Sequence, residues 1–145
     1  MERIKLNLTQ NFSFSTTIII RITDLNYGGH VGNDTFLSLI HEARQQFLKH
    51  HGYTELKFAG TSLIMADAAI EFKKELLYGD AVKVWVSATG FDKIGFDLHY
   101  LLEVEKDGKI TLAGKAKTGM MCYDYSVNKR ITVPEEAVKT LSMQS

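Results

Sequence analysis

One long stretch of helical periodicity, set among stretches that alternate, constrains this chain more than any other feature. Between residues 33 and 52, Phe36, Ile40, Ala43 and Phe47 recur at helical spacing, with Leu37, Leu39 and Leu48 beside them. Apolar residues thus cover much of the girth of the predicted helix, so other elements must wrap around it. Residues 12–23 alternate and are rich in β-branched types, and further alternating runs follow at 62–73, 81–90, 94–105 and 109–123. In the second of these five, Ile64, Ala66, Ala68, Ile70 and Phe72 fall on one face. Gly79-Asp80 marks a turn and Asp107-Gly108 a hairpin. Residues 132–136 open a short terminal helix, with Pro134 where a first turn tolerates it. Asn33 or Asp34 is the candidate N-cap of the long helix and Gly52 its terminator. Strands gathered around one helix give an α+β domain rather than a doubly wound sheet.

A length of 145 residues suits one domain over 1–145. Seventeen Lys plus Arg cancel seventeen Asp plus Glu, which argues against a generic polyanion binder and so against a nucleic-acid partner. The single cysteine, Cys122, cannot form an internal disulfide, and no Cys/His spacing marks a metal site. No signal peptide is visible at the N-terminus, and no apolar run approaches the ~20 residues that span a bilayer. A cytoplasmic protein without membrane insertion is expected.

The loop before the helix carries the most informative motif. Asp24-Leu25-Asn26-Tyr27-Gly28-Gly29-His30-Val31-Gly32-Asn33-Asp34 runs into Phe36-Leu37 and then Glu42-Ala43-Arg44. This resembles the loop and central helix of hotdog-fold acyl-CoA thioesterases, the 4-hydroxybenzoyl-CoA thioesterase superfamily. Members often read Asp-x-Asp, a few residues, His-Val-Asn-Asn, and a helix with Glu-Ala-Arg. Ala69-Ile70-Glu71-Phe72 through Tyr78-Gly79-Asp80 is similar to the family's second strand with its Gly-Asp turn. The resemblance implies a hotdog fold, with an antiparallel sheet wrapped around one long central helix. It also implies an acyl-CoA substrate, a homodimer or homotetramer with sites between subunits, and no metal or organic cofactor.

Two departures bear on mechanism. The second aspartate of Asp-x-Asp is Asn26 here, and an amide can donate or orient but cannot act as base. The hairpin that carries basic residues for the CoA phosphates in some members reads Phe91-Asp92-Lys93-Ile94, with one lysine beside an acid.

Thioester hydrolysis needs an activated water or a nucleophile, and donors aimed at the oxyanion. By the resemblance, the backbone N–H of Asn33 is the oxyanion donor, Asn26 positions water or carbonyl, and an acid about two turns into the helix is the base or nucleophile. Two turns from Asn33 lead to His41 and Glu42, and Glu42 is the preferred carboxylate, although its helix face also suits solvent or a subunit contact. Asp24 either accepts backbone N–H groups of its own loop or orients water. Asp34 either caps the helix or serves as base, and His30 ties loop segments together in a place where mutation should hurt activity. Asp67 faces solvent or a subunit seam, Glu71 reads as exposed, and Cys122 as a packed core thiol. Lys73, Lys74 and Lys93 are the candidate CoA-binding cations. Leu39, Phe47, Leu63 and Met65 are the candidate lining of an acyl channel. The alternatives are a hotdog protein that binds an acyl ligand without catalysis, and a MaoC-like enoyl-CoA hydratase. The hydratase motif Asp-x-Asn-Pro-x-His fits poorly, because His30 lies one residue too far along and the proline is missing.

Overall fold

The structure, a computed structural model, describes residues 1–142. Its elements are β1 (Phe14–Ile19), α1 (Asn33–His50), β2 (Ser62–Phe72), β3 (Ala81–Thr89), β4 (Gly95–Lys106), β5 (Lys109–Asp124), β6 (Lys129–Arg130) and α2 (Glu135–Ser142). The main sheet is antiparallel, in the order β1-β3-β4-β5-β2, and the two-residue β6 pairs with the end of β5. Inward side chains of the sheet, among them Val82, Val84, Val86, Leu98, Tyr100 and Leu102, close around Phe36, Ile40, Ala43, Phe47 and Leu48 of α1. At ~1.5–3 kcal/mol for each large apolar side chain, this burial dominates the stability of the wrap. The sheet embraces the helix as the hotdog resemblance implies. Among the described residues, no helix is long and apolar enough to cross a membrane.

Three boundaries differ from the sequence reading, each for a local reason. β1 stops at Ile19, because Ile20 turns to exchange backbone hydrogen bonds with Gly79 and Asp80, and a 3₁₀ turn at Ile22–Asp24 follows. The N-cap of α1 is Gly32 rather than Asn33 or Asp34, which occupy the first two helical positions. In β2 the register against β5 shifts between Met65 and Asp67, so the simple alternation over 64–72 breaks and residues 65–68 are exposed on this edge strand. Ahead of β1, the chain crosses the outer face of the sheet. Ser87 Oγ donates to the Asn11 carbonyl, the Thr9 N–H to His99 Nδ1, and the Leu6 N–H to a Glu71 carboxylate oxygen, on β3, β4 and β2 respectively.

Polar groups in the core are paired. Arg44, almost fully buried on α1, donates from Nε to Glu55 at 2.8 Å and from its guanidinium to the Tyr100 hydroxyl at 3.4 Å. That hydroxyl lies 2.7 Å from Thr118 Oγ1. Burial pushes the Tyr100 phenol above its usual pKa, so it stays protonated and neutral beside the guanidinium.

Candidate active site

The loop over residues 24–32, the start of α1 and residues 72–76 meet at one end of the sheet. The Val31 N–H donates to the Leu76 carbonyl at 3.0 Å, and His30 Nε2 lies 3.1 Å from a Glu75 carboxylate oxygen. The Phe36 and Phe72 rings meet edge-on at 5.1 Å. A Cβ on Gly114 would stand 2.6 Å from Phe36 Cζ, so glycine there lets the helix sit close on β5. Between these parts lies a pocket of about 240 Å³ bounded by Val31, Phe36, Phe72 and Leu76, with Lys73, Lys74 and Glu75 at its rim.

Asn26 is bound up with its own loop. Its Oδ1 accepts from the Gly28 N–H at 2.9 Å, and its backbone N–H donates to the His30 carbonyl at 2.8 Å. With the oxygen used in this turn, the amide nitrogen is the end directed at Gly32, where a Cβ would lie 3.5 Å from Nδ2. Gly32 begins α1 in extended backbone without a side-chain cap, and its carbonyl accepts from Phe36 at 2.9 Å. The N–H groups of Asn33 and Asp34 therefore stand at the positive end of an uncapped helix. Asp34 folds back over the same spot, with Oδ1 2.7 Å from where a Gly32 Cβ would be. One donor pair, one amide nitrogen and one carboxylate thus converge on Gly32.

The other expected residues are placed differently. Asp24 is buried, and its Oδ2 accepts the Arg21 N–H at 2.8 Å while the Arg21 guanidinium lies 3.3 Å from Oδ1. Burial alone would raise its pKa, but the Arg21 backbone and side chain outweigh that and hold the carboxyl below the usual value. Asp24 fixes the loop. Glu42 is exposed, accepts from Gln46 Nε2 at 2.6 Å, and lies nine residues from Asn33, roughly 13 Å along the helix. It opens on a different cleft, shared with Thr16, Lys49 and His50. His41 faces Glu55 at 3.5 Å.

Lys73 and Lys74 flank the pocket, but Lys93 lies beyond the start of β4, roughly 30 Å away along the sheet, so the three do not act as one group within the chain. Leu39, Phe47 and Leu63 are packed into the core, and Met65 is exposed on the edge strand, so none of the four borders the pocket beside the helix start. Glu71, read as exposed, is largely covered and lies 3.0 Å from Lys73 Nζ. Asp67 is exposed, bonded to Lys117 Nζ at 2.8 Å and to the Gly119 N–H at 3.0 Å. Cys122 is buried, as expected of a core thiol. The sequence reading missed Glu75 as the partner of His30, and the aromatic pair Phe36–Phe72. Both lie inside motifs it quoted, but each contact joins the segment at the helix start to the end of β2 or the loop after it, far apart in sequence. Among the described residues, no group of three His, Cys, Asp or Glu side chains is placed to hold a metal ion.

Known proteins resemble this chain in sequence and in fold. Residues 20–141 match the thioesterase-like superfamily. A 1,4-dihydroxy-2-naphthoyl-CoA hydrolase of Microcystis aeruginosa is 27% identical over 120 residues, covering 81% of this chain and 84% of that one. The crystal structure of a 1,4-dihydroxy-2-naphthoyl-CoA thioesterase from Synechocystis superposes with a TM-score of 0.79 at 20% identity, covering 90% of this chain and 96% of that one. A 4-hydroxybenzoyl-CoA thioesterase mutant complexed with 4-hydroxybenzoyl-CoA gives a TM-score of 0.80 at 13% identity, over 88% and 97% of the two chains. At such identities the solved structures establish the shared hotdog fold. The family match extends from just past β1, through the loop and the uncapped helix, to the last turn of α2, and by it the chain belongs to the thioesterase-like superfamily.

Proposed function

We propose that the chain hydrolyses an acyl-CoA thioester at the N-terminus of α1. The observation that carries this reading is the convergence at Gly32 of the Asn33 and Asp34 N–H groups, the Asn26 amide nitrogen and the Asp34 carboxylate. The thioester carbonyl oxygen accepts from the Asn33 N–H, where the helix dipole favours the charge that develops on it. Asn26 orients the carbonyl or the water through Nδ2 and cannot take a proton. Asp34 is the carboxylate already at the site, and it removes a proton from the attacking water. Collapse of the tetrahedral adduct breaks the carbon–sulfur bond. The thiolate leaves as CoA and recovers the proton, and the acid remains. Glu42 lies too far along its own helix for this role, so it reaches a thioester only across a subunit contact. The unpaired edge of β2, exposed over residues 65–68, favours a homodimer in which two copies join their sheets. The pocket beside the Phe36–Phe72 pair suits a compact acyl group, and relatives named for naphthoyl and hydroxybenzoyl thioesters favour an aromatic one.

Thiol release over an acyl-CoA panel tests the reaction. A hydratase would add water to an enoyl-CoA without freeing thiol, and a binding protein would release none. Asp34→Asn should lower turnover by ~10²-fold or more with the fold intact, and Glu42→Gln by much less. The opposite ranking would move the base to Glu42 and require an intersubunit site.

A further inference from the structure

We infer that the cleft between the N-terminal segment and β2 is a phosphate-binding subsite that takes the nucleotide end of CoA. This assignment rests on the acyl-CoA reading above and says where the charged end of that substrate lies. The cleft holds about 740 Å³ and is bounded by residues 1–7 on one side and by Ile70, Glu71, Phe72, Lys73 and Lys115 on the other. Four cations line it, Arg3, Lys5, Lys73 and Lys115, against two acids, Glu2 and Glu71. Local positive charge of this kind is what a chain of zero net charge needs to hold a polyanionic headgroup.

Three observations connect the cleft to the site. Phe72 and Lys73 border both it and the pocket beside α1, so the two spaces adjoin across those side chains. From Phe72 to Ile70 along β2 is only ~7 Å, a span that a flexible pantetheine arm bridges from a thioester at the helix start. Glu71 organises the junction. It accepts the Leu6 N–H, which seats the N-terminal segment on the sheet, and it holds Lys73 Nζ at 3.0 Å. The cation is thereby fixed at the boundary while Arg3 and Lys5 are carried over the cleft. The hairpin at residues 91–94 supplies one lysine at the other end of the sheet, so within the chain the phosphates find their cations here instead.

Free CoA, dephospho-CoA and pantetheine, titrated by calorimetry into the full chain, test the subsite without requiring turnover. CoA should bind more tightly than dephospho-CoA, and dephospho-CoA more tightly than pantetheine, with the difference shrinking as salt rises. The double variant Arg3→Ala/Lys5→Ala and the single variant Lys115→Ala should weaken CoA binding by about fivefold and about twofold. Lys129→Ala, remote on β6, serves as the control, and circular dichroism verifies the fold of each. Competition by pyrophosphate at millimolar levels would assign the affinity to phosphate itself. Equal affinity for CoA and pantetheine in the wild-type chain overturns the subsite, as does unchanged CoA binding in both variants. If CoA binds as expected but no acyl-CoA is cleaved, the subsite stands and the hydrolase reading falls. If acyl-CoA is cleaved equally well by all variants, the hydrolase reading stands and the subsite falls.

Discussion

The two ends of the central helix are built to opposite rules. At the C-terminal end the backbone is closed, because the carbonyls of Phe47, Leu48 and Lys49 accept from His51, Gly52 and Tyr53. The rings of Phe14, Phe47, His50 and His51 meet edge-on or tilted around that end, and Gly52 takes the left-handed conformation that turns the chain away. At the N-terminal end a glycine stands where a capping side chain is usual, and an amide and a carboxylate crowd around unpaired donors. A helix end left open beside titratable and donor groups has forgone what a capping side chain would add over glycine, roughly a few tenths of a kcal/mol, and what it gains is a place for a ligand oxygen.

Breaking the structural half should cost stability and leave chemistry, and breaking the open half should do the reverse. The largest expected effect is Arg44→Ala. It strips a buried guanidinium from Glu55 and Tyr100 and should cost about 3 kcal/mol in chemical denaturation, the lower end for a buried pair because Glu55 keeps some contact with water. Gly32→Ala should lower turnover by about tenfold at nearly unchanged stability. Its backbone at φ −72° suits any residue, while the new Cβ would lie 2.7 Å from Asp34 Oδ1 and push that carboxylate aside. Gly52→Ala forces a side chain into φ +84° and should cost about 1 kcal/mol without altering kcat. A loss of activity there would mean that the two ends are coupled.

The smallest effect sharpens the loop's role. Asp24 has a carboxyl held below its usual pKa in the folded state, so its stabilising contribution is complete above the unfolded value and fades as pH falls through the folded one. Asp24→Asn should therefore flatten the acid limb of stability below about pH 4 while leaving the shape of the turnover profile near neutrality unchanged. A shifted neutral profile would give Asp24 a part in catalysis.

Much of the fold was legible because periodicity reports which face is buried. The helix over α1, the five long strands and the Asp107-Gly108 turn, both of whose residues have positive φ, follow from spacing and turn chemistry. What spacing does not carry is the relation between elements. The shift at Met65 depends on how β2 meets β5, and the loss of the last residues of the first strand depends on Ile20 meeting Gly79 and Asp80. Arg44 reads as a polar residue on a helix until Tyr100 and Glu55 are brought to it. In the candidate site the loop and helix start were visible as a motif, since they are contiguous in sequence. The choice between Asp34 and Glu42 was not, because it turns on which acid lies at Gly32 and which lies two and a half turns farther along the same helix. The N-terminal segment carried no period to detect, since it is held by three separate side-chain anchors rather than by a ladder.

The burial of Cys122 has a practical consequence. It is the chain's one cysteine, fully enclosed, with its thiol pushed by burial above its usual pKa although a hydrogen bond with Thr61 pulls the other way. A thiolate is the reactive form, so a thiol-trapping dye finds nothing to label on the native protein. Colour in a CoA-release assay then comes from product alone. When the same dye is left with enzyme and no substrate, its slow reaction counts the molecules that have opened, so one reagent reports both catalysis and unfolding without any engineered label.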